Sequence, residues 1–234
     1  KNTTMKMKRR IVLWAVGCLL GGAVRAQHQQ IFNGYLREAG DQAEMFVGKA
    51  ERGYPPTLYY AHPYWLFDEF FPGQVKYNGV VYQNVPLRFD AYLQQLVVNT
   101  PVKRSNVCVP IHLVESFTLG GTEYARRNGE FVAILFDSPR MELVEQVHII
   151  RKEEPVEKGQ IMYDFKREVK YFVLRGGKTH EVNKLKTVLK LYPRIKGELR
   201  RFAKQRSLNF KEHRQSSLIQ LVKHADELLS QSVK

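Results

Sequence analysis

The chain has 234 residues, with 37 Lys and Arg against 23 Asp and Glu, a formal net charge of +14 and 44% apolar residues. That composition excludes a wholly disordered chain, and the length suits one large domain or a main domain with a small appendix. The charge is uneven: residues 1–26 hold six basic and no acidic residues, 27–182 sum to −1, and 183–234 sum to +9.

Lys6, Lys8, Arg9 and Arg10 precede an apolar run over 11–24, and Val24-Arg25-Ala26 offers small residues where a signal peptidase reads. The pattern predicts a secretory signal peptide over 1–26, with Gln27 as the mature N-terminus and export to the periplasm or outer membrane. The run of about 14 residues is shorter than the roughly 20 needed to span a bilayer. Cys18 stands in a degraded lipobox, Ala15-Val16-Gly17-Cys18, which makes a lipid anchor the alternative. Removing 1–26 leaves Cys108 as the single cysteine and excludes an intramolecular disulfide. Its Val107-Cys108-Val109 setting reads as a buried small apolar residue.

Residues 27–53 form a polar lead, with a weak helix possible over 35–47, and the ordered body is expected to begin near Tyr54. Residues 54–71 are dense in aromatics, among them Tyr59, Tyr64 and Trp65. Such a stretch serves either as a stacking or docking surface or as core packing in a β protein. Asn78-Gly79 then separates two β-prone runs, 74–77 and 80–83, and predicts a tight hairpin. A third strand is expected over 85–92 and a fourth over 96–99. Further runs at 106–113, 115–119, 122–126, 130–136, 141–152, 161–166, 169–175 and 178–182 alternate with turn signals, and 153–159 reads as a charged connection. Many short strands joined by turns predict a mainly β fold over 54–182, an antiparallel meander forming a sandwich or partial barrel.

Beyond 183 the pattern becomes helical. Asn183 is placed to cap a helix carrying Leu185, Val188, Leu189 and Tyr192. Pro193 suits the first turn of a second helix, with Ile195, Leu199 and Phe202 on one face and Arg200, Arg201 and Lys204 around the rest. Leu218, Leu221, Val222, Ala225, Leu228 and Leu229 keep helical spacing in a third. Residues 183–234 are therefore expected as a basic segment of about three α-helices packed on the β domain.

Motifs of catalysis are missing. There is no Gly-x-Ser-x-Gly elbow, and Gly176-Gly177-Lys178-Thr179 lacks the first glycine of a phosphate-binding loop and lies between strands. No histidine pair has helical zinc spacing, and neighbouring carboxylates such as Asp68-Glu69 point apart on a strand. The sequence indicates no catalytic residue, cofactor or metal.

Two stretches carry a family resemblance. Residues 73–90 read Gly-x-Val-x-Tyr-Asn-Gly-x-x-Tyr-x-Asn-Val-Pro-Leu-x-Phe-Asp, and the C-terminal part contains Leu-Tyr-Pro, Leu-Arg-Arg-Phe and Leu-Asn-Phe. This resembles uncharacterised exported β-rich envelope proteins of Bacteroidota, and it implies an exported envelope protein without implying a reaction. The expected function is a non-catalytic accessory or structural subunit that binds an outer-membrane protein. The basic helices also fit an anionic membrane surface, whereas export argues against nucleic acid. Tyr59, Tyr64, Trp65, Arg200, Arg201 and Lys204 are the candidate partner or ligand surface. A glycan-binding module using 54–71, and a hydrolase with a site assembled from distant loops, are the alternatives.

Overall fold

The computed structural model describes residues 39–40, 43–156 and 161–231. The expected signal peptide, the Cys18 lipobox and the end of the charged connection at 157–160 lie outside the described residues. The chain divides into two compact units. The smaller comprises Lys1–Val47 and Thr100–Arg104, and its described part contains one 3-10 turn, Glu44–Phe46. The larger comprises Gly48–Asn99 and Ser105–Lys234.

The larger unit is built on a single antiparallel sheet. Its strands are β1 (Lys49–Ala50), β2 (Phe71–Tyr77), β3 (Val80–Asp90), β4 (Gln95–Asn99), β5 (Asn106–Cys108), β6 (Val114–Leu119), β7 (Thr122–Arg127), β8 (Glu130–Asp137), β9 (Glu142–Pro155), β10 (Ile161–Arg175) and β11 (Lys178–Glu181). Their order is β1-β5-β4-β3-β2-β6-β7-β8-β9-β10-β11, with β1 and β11 as free edges, so the sheet is open. Two meanders meet at β2, which pairs with β3 on one side and β6 on the other. Asn78 and Gly79 take φ of +47° and +78°. These values suit a two-residue turn matched to the twist of its strands, and the expected hairpin is present.

Three expectations about the strands are corrected. The runs at 80–83 and 85–92 are one strand, β3, because Gly73 faces Val85 while Val75 faces Tyr82. Gln74 thus opposes both Gln83 and Asn84, and Asn84 absorbs the β-bulge at φ +54°. Asparagine tolerates that conformation, so the strand bends and does not end. Similarly, β9 and β10 form one long hairpin paired from Glu142↔Leu174 to Pro155↔Ile161. Its outer half is largely exposed, so the polar residues that suggested breaks, Glu153 and Glu154 among them, are solvated strand residues. Finally, the ordered body starts before Tyr54, since β1 pairs with β5, Lys49 opposite Cys108. Backbone pairing requires no apolar side chain, which is why a polar lead conceals a strand.

One core lies at β2–β8. Phe117 stacks on Tyr124 with ring centres 4.9 Å apart, and Phe89 and Phe131 each lie 5.2 Å from Phe117. A second core joins β9, β10 and Val182, just past β11, to three helices, α1 (Leu185–Leu191), α2 (Lys196–Gln205) and α3 (Arg214–Gln231). Leu143 and Val173 from the sheet meet Val188, Leu199, Leu218 and Leu221 from the helices. Each such fully buried side chain contributes about 1.5–3 kcal/mol relative to exposure. The basic C-terminal segment is therefore packed on the β body. Pro193 opens a 3-10 turn, Pro193–Ile195, that leads into α2 as expected. Asn183 does not cap α1. Its Oδ1 accepts the Tyr171 amide at 3.0 Å, prolonging the pairing beyond β11, and the Lys184 amide donates to Thr187 Oγ1 at 3.2 Å instead. Among the described residues no helix is long and apolar enough to cross a membrane.

Candidate functional site

The end of β3 alternates apolar and charged residues: Leu87, Arg88, Phe89, Asp90, all buried. Alternation along a strand sends Leu87 and Phe89 to one face and Arg88 and Asp90 to the other. Burying both charges is tolerable only if each is paired and hydrogen-bonded. Asp90 Oδ1 accepts the amides of Tyr92 and Leu93 at 2.9 and 2.8 Å, and Oδ2 accepts the Tyr54 hydroxyl at 2.5 Å. An aspartate that accepts the amides two and three residues on forms a turn of this kind. Burial raises its carboxyl above the usual carboxylate range, against the pull of these three donors. Burial, followed by the hydrogen bond to Asp90, raises the Tyr54 phenol above its ordinary value.

Arg88 donates from Nη2 to Glu51 Oε2 at 2.5 Å and from Nη1 to Asp68. Its guanidinium lies 4.0 Å from the Tyr64 ring centre and 4.6 Å from that of Phe70. Glu51 follows β1 directly. It also accepts the Tyr64 hydroxyl at 2.7 Å and the Asn106 amide at 3.2 Å. Thus the lead, β3, β5 and the aromatic segment are tied at one polar knot.

That aromatic segment runs from β3 to β10. Tyr60 donates its amide to the Tyr163 carbonyl at 2.9 Å, and Tyr163 donates to the Leu58 carbonyl at 2.9 Å. Tyr59 lies parallel to Phe165, with centres 5.6 Å apart. At the other end, the Trp65 amide donates to the Phe89 carbonyl at 2.8 Å. Arg167 of β10 donates to the Tyr64 carbonyl at 3.1 Å and lies 4.7 Å from the Trp65 ring. Segment 54–67 thereby holds β10 to β3, two strands that are not neighbours in the sheet, and the sheet curls.

A cleft of about 510 Å³ opens beside this knot. Lys49, Arg52, Tyr59, Tyr92, Gln95 and Arg151 line it, over a floor that includes Glu51, Tyr54, Asp90 and Cys108. Burial pushes the Cys108 thiol up to about 11, with Glu51 and Asp90 adding to the rise. This is the inert, buried cysteine that its sequence context predicts, since nucleophilic thiols need a cationic setting that lowers the pKa.

The candidate surface residues separate into three places. Tyr59 is half-buried at the cleft wall. Tyr64 and Trp65 are 1% and 9% exposed, so neither can offer a ring to a glycan or a partner. Their placement is corrected: the rings are used up in stacking against Arg88 and Arg167. Arg200, Arg201 and Lys204 are exposed on α2, while Leu199 and Ala203 on its other face are buried. Glu198, at 3.7 Å from Arg201, is the one acid of α2.

Sequence reasoning missed Glu51, Arg88, Tyr92 and the cations Lys49, Arg52 and Arg151. The available signal was a charged pair, Arg88 and Asp90, inside an otherwise apolar strand. Among the described residues no group of three or more His, Cys, Asp or Glu side chains is placed to hold a metal ion. No protein-family model, curated protein or solved structure matches this chain.

Proposed function

We propose that this chain is a non-catalytic exported protein of the cell envelope, an accessory subunit that binds an outer-membrane protein through the outer face of α2. The observation that carries the reading is the division of that helix. One face is locked into the core by Leu199 and Ala203, and the other presents Arg200, Arg201 and Lys204 to solvent. Charge concentrated on one exposed face steers an acidic surface to it and fixes its register. An anionic membrane surface is the competing occupant of the same charge.

The state of the carboxylates beside the cleft supports binding over hydrolysis. Glu51 and Asp90 each already accept three hydrogen bonds from the protein, which fixes both carboxylates in structural roles, whereas a general base has to be aimed at its substrate. The test is capture from envelope membranes of the host in mild detergent, using the tagged protein and its Arg200→Glu/Arg201→Glu/Lys204→Glu variant. The expected result is a stoichiometric outer-membrane protein retained by the parent and lost by the variant. The same partner on both would overturn the assignment to α2. Loss of binding to anionic vesicles, with no protein partner on either, would transfer the surface to the membrane.

A further inference from the structure

The cleft beside Arg88 has a charge pattern that its lining composition conceals. It contains two acids, Glu51 and Asp90, and three cations, Lys49, Arg52 and Arg151. The acids are consumed, one by Arg88, Tyr64 and Asn106 and the other by Tyr54 and two backbone amides. The cations are not. All three are exposed, and among the described residues none has a carboxylate within salt-bridge distance. Among the described residues the cleft therefore presents positive charge that no carboxylate pairs, beside a floor whose two acids are already held by the protein.

Its wall is aromatic and already ordered. The Arg151 guanidinium lies 4.5 Å from the Tyr163 ring centre, Tyr163 lies 5.4 Å from Tyr59, and Tyr92 lies 5.5 Å from Phe165. A cation held over a ring loses less freedom on binding than one swinging in solvent. Gln95 adds an amide that can both donate and accept. The volume falls within the range of about 300–1,000 Å³ typical of small-molecule sites.

We infer that this cleft is a binding site for a small sugar bearing an oxyanion, a carboxylate or a phosphate. The oxyanion meets Arg52 and Arg151, whose planar forks match either group in two-point geometry. The sugar ring lies against Tyr59 and Tyr92, and its hydroxyls reach Gln95. A neutral sugar lacks the group that the cations recognise, and bare phosphate lacks the ring.

The experiment is titration calorimetry at low salt on the intact protein with glucuronate, glucose 6-phosphate, glucose and inorganic phosphate. One or both acidic sugars are expected to bind at least about tenfold more tightly than glucose or phosphate. Raising the salt should weaken that binding. Arg52→Gln/Arg151→Gln, at two exposed positions, is expected to abolish the preference for the acidic sugar while leaving the thermal midpoint unchanged. The α2 triple charge reversal should leave sugar binding as it was. Equal affinity for glucose and glucuronate would overturn the inference, as would phosphate binding as tightly as glucose 6-phosphate. Binding unaffected by the double substitution would also overturn it, and so would the absence of binding by every probe.

Discussion

Arg88 and Glu51 form an ion pair between β3 and the residue following β1, with Nη2 and Oε2 2.5 Å apart and the side chains 10% and 8% exposed. A buried pair of this kind contributes little net stability, but breaking it strands a charge at a cost of about 3–5 kcal/mol. Arg88→Met is therefore expected to lower unfolding free energy by about that amount in urea titrations. Asp68→Asn should cost far less, because Asp68 is 53% exposed and water can replace its partner. Arg88→Lys should not rescue, since an ammonium cannot both fork between two carboxylates and lie flat between Tyr64 and Phe70. An Arg88→Met protein as stable as the parent would show that the knot is dispensable.

Asp90 gives stability a pH dependence of defined sign. Its carboxyl is raised in the fold, chiefly by burial, so the native chain holds this proton to higher pH than the unfolded chain does. Stability from this group is full below the ordinary carboxylate pKa, falls as pH rises through the raised value, and is level beyond it. Asp90→Asn keeps an acceptor for the amides of Tyr92 and Leu93 and should make that decline shallower. Glu145 is buried and raised in the same way, though Tyr171, Gln215 and Arg167 oppose the shift. A residual decline should therefore persist in Asp90→Asn and shrink again when Glu145→Gln is added. Urea unfolding from about pH 4 upward measures both. An unchanged slope in the double variant would remove these carboxyls from the account.

The hairpins and the amphipathic helices were legible because each is a local decision. Asn78-Gly79 sets its turn by its own φ preferences, and Leu218, Leu221, Val222 and Ala225 mark their stripe by spacing alone. The cleft was not legible, because its parts come from residues 49–54, 59, 90–97, 108 and 151, which only the curled sheet brings together. Aromatic density in 54–71 was visible, but not which rings would be buried. That depends on Arg88 and Arg167, one from β3 and the other from β10, each occupying a ring face. The bulge at Asn84 was hidden for a related reason: the residue tolerates both a turn and a bulge, and pairing with β2 selects between them.

The helical segment should be thermodynamically part of the body. Leu221 is fully buried against the second core, so Leu221→Ala is expected to cost about 2–5 kcal/mol. Arg201→Ala, at a side chain 74% exposed, should change stability by no more than about 0.5 kcal/mol. Both the helical far-UV signal and the near-UV signal of the sheet aromatics should be lost in one transition for the parent and for Leu221→Ala. If the helices melted first and left the aromatic signal intact, α1–α3 would be a separate unit, and charge reversal on α2 could not be read through the sheet.

Gly73 marks a close approach of β2 to β6 and β3. It faces Val85 where the bulge of β3 begins, two residues before β2 takes up pairing with β6 at Val75↔Phe117. A Cβ added there would lie 2.2 Å from the Thr118 carbonyl oxygen and 2.8 Å from Leu87 Cδ2. The leucine can rotate, but the carbonyl belongs to the backbone of β6 and cannot move without parting β2 from β6. Gly73→Ala is therefore expected at or above the upper end of overpacking costs, about 3 kcal/mol. Gly79→Ala makes the contrast: its φ of +78° is strained for alanine, yet an added Cβ meets nothing within 4 Å, so about 1 kcal/mol is expected. The two variants differ by one methyl each and test different physics, closeness of strands against backbone conformation. Equal urea midpoints would mean that β6 yields at Thr118, and that the junction of the two meanders is looser than its geometry implies.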